Sequence, residues 1–192
     1  LSTYFSMLFV LALYLQEGLG HSPLYSGMAL VSWVAAFGLA GPLFRRLPAT
    51  FRLRRVAVAG PLVLAGAHAA ISVSLLLGEL PGWWLMTVLG VGGLGLGLAF
   101  TAMLNQLTSA VSASRAADLS GLLPTTGQLF GVIGIATFGT CYLALAGDSP
   151  RAAFVVVTAA FALVSAGSAL LAHVATRGSA QPPAQELTGR GT

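Results

Sequence analysis

Residues Trp83–Leu107 read WWLMTVLGVGGLGLGLAFTAMLNQL, twenty-five residues without a charge and dense in glycine. Crossing a hydrocarbon core of about 30 Å takes about 20 apolar residues in a helix. The stretch is long enough to cross and apolar on every side, so it reads as a membrane span. Its Gly90, Gly92 and Gly95 spell G-x-G-x-x-G. A dinucleotide-binding loop needs that motif between a strand and a helix, and here it sits inside one apolar run. The glycines read instead as packing positions. Gly93 and Gly97 form a G-x-x-x-G pair, as do Gly127 and Gly131 further on, with Gly134 close behind. Small residues let helix backbones approach where lipid supplies no hydrophobic drive between helices. Such helices also flex, so packing and gating both stay open for these five glycines.

Five more apolar runs flank this one. The first span covers Leu1–Gln16, the second Pro23–Phe44, the third Val56–Leu77, the fifth Leu119–Leu145 and the sixth Pro150–Val174. The expected fold is therefore an all-α integral membrane protein with six transmembrane helices. Residues 1–177 form one bundle, and the Pro- and Gly-rich stretch 178–192 forms a disordered tail. Because the first apolar run is under way at Leu1, the chain reads as a fragment whose N-terminal part is missing. Composition agrees with lipid as the solvent. The chain of 192 residues is 56% hydrophobic and 7% charged, where soluble domains average about 25% charged. Ser22-Pro23 and Ser149-Pro150 each set a capping hydroxyl before a proline suited to the first helical position. Asp118 is the expected cap of the fifth span. Pro61 and Pro124 each remove one backbone hydrogen bond and are expected to kink the third and fifth spans.

The basic residues fix orientation. All nine are arginine, and Arg45, Arg46, Arg52, Arg54 and Arg55 crowd the loop between the second and third spans. Adding Arg115, Arg177 and Arg190 puts eight on one side, against Arg151 alone on the other. The opposite loops carry Glu17, Glu79 and Asp148. By the positive-inside rule the arginine-rich side, with both ends of the chain, faces the cytoplasm. That rule also accounts for the net charge of +4, so nucleic acid is not an expected partner.

Several chemistries drop out. Without lysine there is no phosphate-binding P-loop and no Schiff base. Three histidines, one cysteine and five acids are scattered without ligand spacing, so no metal and no cofactor is expected. Ser26-Gly27 and Ser120-Gly121 lack the preceding glycine of a serine-nucleophile element. Cys141 has no cysteine to pair with. His68, midway along the third span, reads as a buried neutral side chain hydrogen-bonded to a neighbour, with a proton-relay role as the alternative. His21 and His173 fall at helix ends. Polar side chains inside the spans remain: Tyr4, Tyr14 and Gln16 in the first, Ser32 and Trp33 in the second, Thr101 and Asn105 in the fourth, and Thr125, Thr126 and Gln128 in the fifth. Each suits inter-helix glue, worth about 0.6 kcal/mol on average. As a set they also suit the wall of a pathway for a partly apolar solute.

The order of these features resembles a known family. Tyr14-Leu15-Gln16, Gly20-His21-Ser22-Pro23 and Ser26-Gly27 are similar to the passage that opens the C-terminal half of drug–proton antiporters of the major facilitator superfamily. The basic run from Gly41-Pro42 through Arg55, then Asp118 to Gly121 and Thr126 to Gly134, follow the pattern of the fourteen-helix EmrB/QacA type. Gly127 stands where arginine is common in that pattern. The resemblance covers residues 1–175 and implies two inverted three-helix repeats. It implies that the first and fourth spans face a central cavity, the second and fifth a missing N-terminal half, and the third and sixth lipid, which turns His68 away from the cavity. It further implies a proton-coupled multidrug or small-molecule exporter of the plasma membrane that works by alternating access. Its partners would be the bilayer, the missing half, protons and a small amphipathic or apolar solute. The alternative is a six-helix membrane protein that transports nothing, an assembly partner or sensor.

Overall fold

The computed structural model of the chain describes residues 2–48, 54–78, 80–110, 112 and 116–178. Arg52, Glu79, Arg115 and the expected tail with Glu186 and Arg190 lie outside the described residues, as do the side chains of Arg54, Asp118 and Arg177. Every regular element among the described residues is helical. The first span is α1 (Ser2–Leu13) ending in a π turn, Tyr14–Gly18. Then come α2 (Pro23–Arg46), α3 (Arg54–Leu77) and α4 (Gly82–Ala110). The fifth span is interrupted where one helix was expected: α5 (Ala116–Gly134), a π turn at Ile135–Gly139, and α6 (Thr140–Ala146). The sixth is α7 (Pro150–Gly178). Five of these rods are long and apolar enough to cross a bilayer by length and composition. The first, twelve α-helical residues plus a five-residue π turn, rises about 25 Å, somewhat short of a full crossing.

Local chemistry sets the boundaries. Ser22 Oγ accepts the Tyr25 N–H at 3.3 Å and Ser149 Oγ accepts the Ala152 N–H at 3.2 Å, each just ahead of a proline that opens its helix. The expected capping role of the Asp118 side chain lies outside the described residues. The reversal between α1 and α2 turns on Gly20, whose φ of +68° suits a residue without a Cβ. Helices α2, α3 and α5 run on through Pro42, Pro61 and Pro124.

The packing has the symmetry of an inverted repeat. The second rod of the first triplet, α2, packs along the first rod of the second triplet, α4. Likewise α5 and its π turn pack along α1, and the two third rods, α3 and α7, pack on each other. A close α3–α4 contact completes the interior, while its counterpart between α7 and α1 is slight. The shared core holds Met7, Leu11, Trp33, Ile71, Leu89 and Phe161.

Outward faces are apolar: Leu39, Leu62, Leu76, Val132, Leu163 and Leu171 are all exposed. In water such a surface would drive aggregation, whereas in hydrocarbon it is the expected coat. The third and sixth spans thus present lipid-suited faces, yet both also have an inward face. His68 lies on the inward face of α3, fully buried, and not on its lipid side. Neither ring nitrogen has a hydrogen-bond partner in the protein, so the expected bonded neighbour is absent. Periodicity does not assign this face because α3 is apolar almost all round.

Candidate functional site

Helix α4 is the scaffold of the site, and its glycines decide how close its neighbours come. A Cβ on Gly97 would fall 2.6 Å from the Phe37 carbonyl oxygen and 2.5 Å from the Ala40 Cβ, and one on Gly93 would collide with the Trp33 carbonyl. One turn round the helix, Gly92 and Gly95 serve α3 in the same way. A Cβ on Gly95 would lie 2.8 Å from the Gly60 carbonyl oxygen. The first span meets the fifth through the same device. Gly131 lies under the Phe5 ring, Gly134 under the Ser2 backbone and Ser6 Oγ, and Gly139 of the π turn under Phe9. Gly127 is buried as well.

The close approach of α2 and α4, with α1 packed on α2, brings four aromatic rings into a row. Tyr4 meets Phe5 edge-on at 5.0 Å and 88°, and meets Phe37 of α2 at 5.1 Å. Phe37 in turn lies 5.9 Å from Phe100 of α4. All four rings are half-buried, so the row has an open side. Phe37 is about two turns from Arg45, which sets the row toward the arginine-rich end of the bundle. Thr101 and Asn105 follow Phe100 on α4. Thr101 donates to the Gly97 carbonyl at 2.8 Å and Asn105 Nδ2 to the Thr101 carbonyl at 2.8 Å. Asn105 is exposed, and its amide keeps an acceptor and a second N–H beyond that bond.

The remaining polar residues scatter. Trp33 is 1% exposed and Tyr14 2%, so both belong to the core and not to an open wall. Tyr14 stacks on Phe154 of α7 at 4.2 Å and 9°. Gln16 is exposed in the π turn at the far end. Thr125 donates to the Gly121 carbonyl at 2.9 Å, and it and Gln128 are exposed on α5. Of the ten polar candidates, the structure brings Tyr4 to Trp33, with ring centroids 6.3 Å apart, and sets Thr101 and Asn105 one turn apart on α4. It adds Phe5, Phe37 and Phe100, which in the sequence look like ordinary apolar residues of a span. The four-residue step from Trp33 to Phe37 is the one signal the sequence offers for them.

The lone arginine of the opposite side also has a partner. Arg151 Nε donates to the Leu75 carbonyl at 3.0 Å, and its Nη2 donates to the same oxygen. Leu75 lies in the last turn of α3, where carbonyls lack helical partners and a positive charge suits the dipole. This end of α3 is therefore finished by a side chain from α7.

An all-α bundle coated in apolar side chains, with interleaved triplets and a half-open aromatic row, defines a multi-pass membrane protein. Residues 1–135 match the family model of the Major Facilitator Superfamily, and the chain belongs to that superfamily. It is 29% identical over 149 residues to the probable actinorhodin transporter of Streptomyces coelicolor, covering 76% of this chain and 26% of that protein. It is 29% identical over 135 residues to the methylenomycin A resistance protein of the same organism, covering 70% of this chain and 28% of that protein. The chain thus spans about a quarter of the length of each relative. No solved structure matches it. Membership makes this a protein of membrane transport and not an enzyme.

Proposed function

We propose that the chain forms one half of a proton-coupled exporter of amphipathic or apolar small molecules, working by alternating access in the cell membrane. The half-open row Tyr4–Phe37–Phe100 carries the reading, with the exposed Asn105 little more than a turn beyond Phe100 on α4. Flat apolar rings, with an amide that keeps its carbonyl and one N–H, suit a solute that is largely hydrophobic and partly polar. Support comes from the two relatives, one named for transport of actinorhodin and the other for resistance to methylenomycin A. The opposite wall would come from a second six-helix half of the same polypeptide, seated against α2 and α5. These two rods are the least buried of the five crossing helices, at 22% of each apolar window. Eight arginines to one set the loop between α2 and α3 on the cytoplasmic side, so the aromatic row lies in the inner half of the bilayer.

Coupling requires a group whose charge changes during the cycle. Among the described residues no carboxylate lies mid-span: Glu17 is exposed in the π turn at the outer end and Asp148 sits between α6 and α7. The proton carboxylate is accordingly assigned to the other half, leaving a neutral wall here. The test uses the full-length transporter in inverted vesicles with a pH-reporting dye and a panel of amphipathic cations. Proton release on solute addition, lost in a Phe37→Ala, Phe100→Ala variant that still folds, is the expected result. Transport unaffected by the pH gradient would overturn the coupling, and full transport by the double variant would overturn the site.

A further inference from the structure

Among the described residues, four buried side-chain polar atoms lack any hydrogen-bond partner in the protein: Trp33 Nε1, both nitrogens of His68 and Ser165 Oγ. Their residues are 1%, 0% and 2% exposed. They sit on three different helices, α2, α3 and α7, and ring contacts of His68 on α3 reach α2 on one side and α7 on the other. The His68 ring lies 5.9 Å from the Trp33 ring and 5.3 Å from the Phe161 ring. Ser165 follows Phe161 by four residues, one turn along the same face of α7. The next turn outward is already polar and fully paired. Thr158 donates to the Phe154 carbonyl at 2.8 Å and accepts the Ser72 hydroxyl at 2.7 Å, with the His68 carbonyl 3.2 Å from the Ser72 Oγ.

Unpaired polar atoms are rare in folded proteins, and four together in a lipid-embedded core are rarer, because lipid offers no substitute partner. Their donors and acceptors are complementary to one small molecule. Indole offers one N–H, neutral imidazole one donor and one acceptor, and the hydroxyl both. Water, with two donors and two acceptors, bridges such a set, and buried waters commonly make about three bonds of this kind. A carboxylate or metal partner does not fit, since the described residues hold no cluster of acids, histidines or cysteines that could form one.

We infer that the junction of α2, α3 and α7 is an internal hydration site, in which ordered water bridges Trp33 Nε1, the His68 imidazole and Ser165 Oγ. This inference does not depend on the proposed export. A water bridge can shorten, tilt or exchange partners as helices shift, where a direct bond would break. The site therefore joins α2 to the α3–α7 pair without fixing their relative positions.

Water-edited solid-state NMR on the whole protein in lipid, with ¹⁵N-histidine and ¹³C-phenylalanine, tests it. The His68 signal is assigned by its loss in His68→Leu or, should that variant not fold, by its dipolar contact with the Phe161 ring. The expected result is magnetisation transfer from water to the His68 ring nitrogens on the timescale seen for the exposed His21 and His173, and its loss in Trp33→Phe, Ser165→Ala. No transfer to His68 at mixing times that saturate the other two would overturn the inference. So would transfer that the double variant leaves unchanged.

Discussion

Gly97 and Gly131 are both shielded by a neighbour, yet they differ in what a larger side chain would strike. At Gly97 the obstacle is the α2 backbone, with the Phe37 carbonyl oxygen 2.6 Å from where a Cβ would sit. At Gly131 it is the Phe5 ring, which can rotate aside. Gly66 faces open space. Leucine at Gly97 is expected to cost about 1–3 kcal/mol of stability by overpacking. Gly131→Leu should cost less and Gly66→Leu close to nothing, all read from thermal unfolding in nanodiscs. An equal effect at Gly66 and Gly97 would sink the packing account. Arg151 makes a second residue-scale case. Removing a charged donor that closes α3 should cost about 1 kcal/mol in Arg151→Ala, at the low end for charge-assisted bonds because the arginine is itself exposed. Lysine, without the second N–H of the guanidinium fork, should restore only part of it.

At the scale of helices, the spans were legible because length and apolarity suffice to find them. The start sites at Pro23 and Pro150 were legible because serine and proline have fixed positional chemistry. The facing of each residue was not. A helix apolar all round carries no stripe, so the sequence did not distinguish buried Trp33 from half-exposed Phe37 four residues on. The burial of His68 was legible from its mid-span position, whereas its lack of a bonded neighbour in the protein was not. The two π turns were also illegible, because neither Tyr14–Gly18 nor Ile135–Gly139 carries a residue that marks the one-residue-wider hydrogen-bonded ring. Side assignment is open to a direct test in a Cys141→Ser background. Single cysteines at Arg45 or Arg46 should react with impermeant maleimide only from the cytoplasm, and those at His21 or Asp148 only from outside. Labelling of Arg46 and Asp148 from one face would refute the six-span arrangement.

On the proposed half-transporter reading, the whole molecule offers one wall of a pathway. Residues 1–192 alone should therefore confer no solute efflux on a sensitive host, and robust efflux by this segment as a monomer would contradict the half-transporter reading. In the full-length protein, Glu17→Gln should leave solute-driven proton movement intact, because that carboxylate is exposed in the π turn that ends the first span and is not set mid-span. Loss of coupling with solute binding retained would make Glu17 the proton carrier.

The exchange of partners between the triplets also bears on how the chain is made. Helix α1 finds its main neighbour not in α2 but in α5 and the π turn that follows, more than a hundred residues later. At translation rates of about 5–20 residues per second, α1 waits on the order of ten seconds for the surface that will cover Phe5 and Phe9. Ser6 already bonds to the Ser2 carbonyl at 2.7 Å, so its hydroxyl needs no helix neighbour meanwhile. Biogenesis thus leaves the first helix parked at the insertion machinery or in lipid until the fifth emerges. Ribosome-arrested chains ending before residue 116 should crosslink through Phe5 to translocon or lipid, and chains extended well past Ala146 should crosslink to α5 instead.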